Sequence, residues 1–184
     1  MSWFSSRNGV RLVAVAALAA LTAGCFQPMY GERSATGGSA LREKLQGVEV
    51  PPLNLPNGSR EARLGVEIRN SLMFSMYGSA VGGPPTHRLL MRISTTRLSV
   101  IVDPTTARPD IENYGIDATY ELKDNATDKT VLTGTTFSRV SYDIPGQAQR
   151  FARSRGLRDA EDRAAKVIAD NINQRLASFF IAGT

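Results

Sequence analysis

The sequence predicts an α+β fold: a two-layer sandwich in the order β-α-β-β-β-α, with two helices packed on one face of a mostly antiparallel four-stranded sheet. Three observations carry this. Leu64, Ile68, Leu72 and Met76 recur every four residues, the spacing of one helical face. Tyr114, Ile116, Ala118, Tyr120 and Leu122 alternate with polar partners, as a half-buried strand requires. Leu157, Ala160, Ala164, Ile168, Ile172, Leu176 and Phe179 form a second, longer helical stripe. Two amphipathic helices and a sheet with one polar face bury their apolar sides by packing layer on layer.

The first 24 residues stand apart from that fold. Arg7 and Arg11 give a positive lead, Leu12 to Leu21 are ten consecutive apolar residues, and Thr22, Ala23 and Gly24 are small residues before Cys25. The apolar run is short of the roughly 20 residues that span a bilayer. With its charged lead and small-residue cleavage site it reads as a secretory signal that is removed. Leu21-Thr22-Ala23-Gly24-Cys25 resembles the lipobox of bacterial lipoproteins, which implies cleavage between Gly24 and Cys25 and a diacylglyceryl group on the Cys25 sulfur. Cys25 is the sole cysteine, so an intrachain disulfide and a C-x-x-C site are excluded. Each buried methylene adds about 0.8 kcal/mol, and two or more acyl chains anchor stably where one is marginal. Residues 25–41, rich in Gly, Ser and Pro, read as the lipidated cysteine and a tether, and 42–184 as one domain.

Leu45 to Val50 is a short strand candidate, stopped by Pro51 and Pro52, which cannot donate to a ladder. Ser59 is placed to cap the first helix, Glu61 suits its positive first turn, Met73 and Tyr77 widen the apolar face, and Gly78 ends it. After Gly82-Gly83-Pro84-Pro85, Arg88 to Val102 is a long strand rich in Ile, Val, Thr and Leu. A polar loop is expected over Asp103 to Glu112. The strand with Tyr114 follows, then a turn over Lys123 to Lys129 and a fourth strand over Thr130 to Asp143, carrying Val131, Thr133, Thr135 and Phe137 on one side. Ile144-Pro145-Gly146 closes the sheet. A basic stretch from Arg150 to Arg158 leads into the last helix, whose small Ala residues permit close approach to the sheet.

Charge and motifs narrow the chemistry. Two of the 22 basic residues lie in the leader, which leaves 20 against 17 acidic residues and a net charge of +3. That is too mild to indicate nucleic acid as a partner, yet compatible with a local patch for an anionic ligand. His87 is the one histidine and is expected at the surface; it has no second histidine or cysteine with which to build a metal set. Asp110 with Glu112, and Asp159 with Glu161 and Asp162, are carboxylate groupings, the second reading as dipole-complementing acids in a helix's first turns. Gly37-Gly38 and Gly82-Gly83 lack a phosphate-loop pattern. No catalytic constellation, resident metal or cofactor other than the lipid on Cys25 is expected, and the chain is read as a binding protein without turnover.

The feature with functional content is geometric. In a meander, the loop after the second strand and that after the fourth emerge at one end of the sheet, so Arg108 and the cluster Arg150, Arg153, Arg155 and Arg158 are expected to share a basic tip. A guanidinium fork matches phosphate in two-point fashion.

Cys25-Phe26-Gln27-Pro28-Met29-Tyr30-Gly31, the lipobox before it and the order of elements after it are together similar to the LptE family of lipopolysaccharide-assembly lipoproteins, over essentially all of the 160 residues that follow the leader. The resemblance implies an outer-membrane location on the periplasmic side, consistent with Phe26 rather than Asp after the cysteine. It implies a plug in the lumen of the LptD β-barrel that aids the barrel's assembly and binds lipopolysaccharide for transport to the outer leaflet, with ligand phosphates as candidates for the basic tip. The alternative is a different outer-membrane lipoprotein, an accessory subunit of a lipid transporter or an activator of a cell-wall synthase.

Overall fold

Pro51 and Pro52 decide how the sheet begins. A computed structural model of the chain describes residues 41–78, 82–103, 108–144 and 150–182. Within them run α1 (Leu41–Gln46), β1 (Val48–Glu49), α2 (Arg60–Tyr77), β2 (His87–Asp103), β3 (Arg108–Asp124), β4 (Thr130–Asp143) and α3 (Arg150–Ala182). The strand expected over Leu45 to Val50 is shortened to Val48–Glu49, because Leu41 and Leu45 bury themselves as a short helix before it and the prolines stop it after. The carbonyls of this stub are taken by side chains of α2: Tyr77 Oη donates to that of Val48 and Arg69 Nε to that of Val50. The expected leader, the expected cleavage between Gly24 and Cys25, and the expected tether up to residue 40 lie outside the described residues, as does Pro145-Gly146, while Leu41, read as the tether's last residue, starts α1.

The sheet order is β1-β2-β3-β4. β1 pairs parallel with β2, as two strands joined through a crossing helix do, while β2, β3 and β4 form an antiparallel meander. The predicted α+β sandwich is therefore present, with a mixed sheet and one added short helix. Its register sets the two faces. Leu89↔Leu122↔Leu132, Met91↔Tyr120↔Gly134 and Ile93↔Ala118↔Thr136 stack side by side on the helix side. The alternation read at Tyr114 to Leu122 is that buried face, whereas Val131, Thr133, Thr135 and Phe137 turn to the helix-free side.

Both long helices lie over the buried face. Ser59 Oγ accepts the N–H of Ala62, and Gly78, in the left-handed region at φ 70°, bonds back to the Phe74 carbonyl, so α2 starts and ends at the two predicted caps. Its Leu64, Ile68, Leu72 and Met76 are buried. α3 is 33 residues, about 50 Å long. Ala160, Ala164, Ala165, Ala169 and Ala177 are fully buried in it, and Asn171 Nδ2 reaches Thr136 Oγ1 on β4 at 3.0 Å, so the small side chains bring this helix close to the strands. Each fully buried Leu or Ile in this layer contributes about 1.5–3 kcal/mol relative to exposure. α1 closes one end, where Lys44 Nζ donates to the Phe180 carbonyl at 3.0 Å and caps α3.

Candidate functional site

The end of the molecule at which β3 begins gathers the residues the sequence singled out. β3 starts at Arg108, opposite Asp103, and Ile111 pairs with Asp143 at the end of β4, so the polar loop expected through Glu112 is shorter than read and its last residues are strand. α3 starts at Arg150, within the stretch read as leading into it. Arg108 and the start of α3 are thereby brought to one end of the sheet by topology. Arg153 marks the approach: its Nη2 lies 3.7 Å from Glu112 Oε1, a separation of charges rather than a hydrogen bond. Glu112 is held from the other side by the Tyr142 hydroxyl, which donates to its Oε2. Burial, reinforced by that bond to Glu112, raises the Tyr142 phenol well above its ordinary value, so it stays a donor.

The cluster does not converge on one point. Successive helical residues turn by about 100°, so Arg155 and Arg158 are rotated by roughly 200° and 140° from Arg153. Arg153 faces the sheet end and Arg155 faces solvent. Arg158 turns towards α2, where it meets neighbours the sequence did not suggest. A groove of about 710 Å³ runs between the N-terminal parts of α2 and α3, and Arg60, Arg63 and Arg158 line it with Ser59, Ser154 and Glu161.

Glu161 organises that groove. It is 3% exposed, Arg63 Nη2 bonds its Oε2, and Arg60 Nε stands 3.4 Å from Oε1. Arg63 Nη1 also bonds Asp162 Oδ1 at 2.8 Å. Burial opposes the charge on Arg63, but its bond to Asp162 and the charges of Glu161 and Asp162 raise its pKa above the ordinary value. Beneath, burial in the first place and the Glu161 charge in the second push the Tyr114 phenol up to about 12. The reading of Asp159, Glu161 and Asp162 as first-turn acids is corrected here. α3 begins nine residues before Asp159, so the group sits more than two turns in, where Glu161 and Asp162 tie α3 to α2 and Asp159 pairs with Arg163 at 2.7 Å.

The opposite end holds His87, at the start of β2. It is half-buried rather than at the surface: its ring meets Phe180 edge-on at 5.3 Å, and burial lowers its pKa, opposed by the Asp124 charge. A third feature is a trough of about 840 Å³ at β2, β3 and β4, lined from Leu90 to Ile93, Thr119 to Glu121 and Thr133 to Thr135, with Pro51 to Leu55 along one side. The helix-free face is a separate surface. That face is mixed, with Leu90, Leu98, Val131 and Phe137 exposed on it among polar groups that lace its strands. Arg139 Nη2 grips both oxygens of Asp117 at 2.7 and 2.9 Å and its guanidinium lies 5.5 Å from the Phe137 ring, while Ser141 and Asn113 bond at 2.6 Å. Among the described residues no group of three His, Cys, Asp or Glu could hold a metal, and no helix is long and apolar enough to cross a membrane.

A two-layer sandwich of this order is also the fold of several solved bacterial lipoproteins. The chain is similar in fold to a protein of Caulobacter crescentus described as a candidate lipoprotein, at TM-score 0.59 and 20% identity, over 78% of this chain and 97% of that one. It is likewise similar to rare lipoprotein B of Shewanella oneidensis, at TM-score 0.51 and 16% identity over 74% and 96% of the two chains. An uncharacterised lipoprotein B of Nitrosomonas europaea aligns at TM-score 0.51 and 13% identity, over 74% and 83%. None of the curated protein sequences matches. The family model LptE, lipopolysaccharide-assembly, matches residues 45–176, which is almost the whole sandwich, and the chain belongs to that family.

Proposed function

We propose that this protein is an outer-membrane lipoprotein, anchored through a diacylglyceryl Cys25 on the periplasmic side, that seats in the lumen of an LptD-type β-barrel, aids its assembly and binds lipopolysaccharide for passage to the outer leaflet. The observation that carries the reading is the family match across residues 45–176. Two physical features favour it. The lumen of a large membrane barrel is polar, and the helix-free sheet face, with its threonines and its Asp117–Arg139 pair, is a surface suited to such a wall. At the end where α3 starts, Arg153 and Arg155 are exposed, and a guanidinium binds a phosphate ester through two parallel N–H bonds. Such a protein works by binding and scaffolding, without a catalytic group, a metal or a cofactor.

Purification of the lipidated protein from its own outer membrane in mild detergent, with the bound partner identified by mass spectrometry, tests the partner. A large β-barrel recovered one to one is expected; recovery of a cell-wall synthase or an inner-membrane transporter instead overturns the plug. The ligand is tested separately. Replacing Arg108, Arg150, Arg153 and Arg155 by Glu is expected to weaken lipopolysaccharide binding at least tenfold, while Glu at Lys123 and Lys129, at the far end, leaves it within twofold. Equal effects from the two sets would remove the basic end from the mechanism.

A further inference from the structure

The groove between α2 and α3 is built as a binding site in its own right, and nothing in the basic end accounts for it. One of its guanidiniums has no ion pair and a second is held only loosely. Arg158 has no ion pair among the described residues, and Arg60 approaches Glu161 only through Nε, at 3.4 Å. The N-terminus of α2 opens at the same rim: Ser59 takes the N–H groups of Ala62, through Oγ, and Arg63, through its carbonyl. Helix geometry leaves the earlier N–H groups, those of Arg60 and Glu61, without an intrahelical acceptor, and the dipole makes that end positive.

An independent observation comes from Glu161. Its carboxylate is buried at the groove wall, and Oε1 has no hydrogen-bond donor. Arg60, 3.4 Å away, gives this oxygen a charge partner without a hydrogen bond; a buried carboxylate oxygen without a hydrogen bond is costly, and the deficit is met by an O–H or N–H donor. A bare anion would meet the two guanidiniums but be repelled by this carboxylate. A ligand that carries an anion and, a few ångströms away, a hydroxyl or ammonium satisfies both halves.

We infer that the groove binds a phosphomonoester carried on a sugar, the phosphate taken by Arg60, Arg158 and the first-turn N–H groups of α2, and a neighbouring ring hydroxyl or amino group donating to Glu161 Oε1 as Arg60 turns to the phosphate. This rests on the lipopolysaccharide reading only for its natural source, a phosphorylated glycolipid headgroup; a free sugar phosphate has the same chemistry.

The test is titration of the full-length ¹⁵N-labelled protein in detergent micelles with glucosamine 1-phosphate, glucosamine and inorganic phosphate, followed by amide shifts. Glucosamine 1-phosphate is expected to move the first-turn amides of α2 and to bind at least tenfold more tightly than either fragment. Arg158→Glu and Arg60→Glu are each expected to weaken it about tenfold, the first with an unchanged melting temperature and the second, which takes a cation from the buried Glu161, with a lowered one, and Lys129→Glu to do nothing. Glu161→Gln should erase the preference for the sugar phosphate over inorganic phosphate. Failure of the wild-type protein to bind glucosamine 1-phosphate, or binding indifferent to both arginine reversals, overturns the site. Vesicles containing lipid A or its dephosphorylated form then separate the sources: loss of lipid A binding in Arg158→Glu assigns the groove to the glycolipid, and unchanged lipid A binding assigns it to free sugar phosphates. Lipopolysaccharide binding that depends on Arg153 alone removes the groove and keeps the proposed function, whereas sugar phosphate binding in a protein that ignores lipopolysaccharide does the reverse.

Discussion

Gly134 faces Tyr120 across β3 and β4, and a Cβ there would lie 2.4 Å from the tyrosine hydroxyl and 2.5 Å from its ring carbon. Neither atom can move far, because Tyr120 is buried. Gly134→Ala is therefore expected to cost about 1–3 kcal/mol in urea unfolding through overpacking, while Gly83→Ala, where the nearest atoms are 3.7 Å away, stays near neutral. His87 supplies the pH-dependent residue. Its folded pKa is depressed below the ordinary imidazole value of 6.5, chiefly by burial, so the folded state disfavours the charged ring and the unfolded chain binds the proton first. The sign follows: His87 contributes stability above pH 6.5, and that contribution is lost as pH falls through the lower folded pKa. Melting temperatures measured between pH 7 and pH 5 should fall more steeply for the wild type than for His87→Phe. Parallel curves would remove His87 as the cause.

The tie between the helices is an element-scale device with an asymmetric cost. Arg63→Met leaves the Glu161 carboxylate, 3% exposed, without its bonded partner, and removal of one member of a buried pair costs about 3 kcal/mol. Glu161→Gln instead leaves two arginines that are 42% and 30% exposed and can rehydrate, so about 1 kcal/mol is expected. Chemical denaturation of the two variants measures the difference, and equal losses would show that the carboxylate is not the buried charge that matters. The same reasoning explains why the first strand is so short. With Tyr77 and Arg69 of α2 bonding the carbonyls of Val48 and Val50, the backbone is satisfied without further ladder, and Pro51 and Pro52 could not extend it.

For the whole molecule the division of labour runs between faces. The helix side of the sheet is filled with core, and the helix-free side keeps threonines and a cross-strand ion pair. If the proposed seat in a barrel uses the helix-free side, a bulky residue there leaves folding alone and spoils docking. Thr119→Trp is expected to keep the melting temperature within about 2 °C of wild type, since surface substitutions usually stay within about 0.5 kcal/mol, and to reduce recovery of a barrel partner severalfold in co-purification. Val66→Trp, on an exposed part of α2, is the comparison at the other layer. Identical partner recovery from both variants would take the helix-free face out of the interface.

Local pattern was enough for the parts of this protein that depend on neighbours in sequence. The caps at Ser59 and Gly78, the four-residue stripe of α2, the Tyr114 to Leu122 alternation and the Ala-lined face of α3 are all set within a few residues of chain, and each is where periodicity and turn chemistry put it. The order of those elements limited the fold to a two-layer sandwich and brought Arg108 to the same end as the start of α3. What sequence could not decide was direction around a helix and partnership across the fold. Arg153, Arg155 and Arg158 look like one cluster on a line of text, but a 100° turn per residue sets Arg153 on the opposite side of the helix from Arg155 and Arg158. Asp159, Glu161 and Asp162 look like solvated acids, yet only when α2 lies against α3 does Glu161 meet Arg60 and Arg63, about a hundred residues away in the chain. Tertiary packing alone creates such a pair, because it is packing that removes water from the carboxylate and leaves the arginines as its remaining partners.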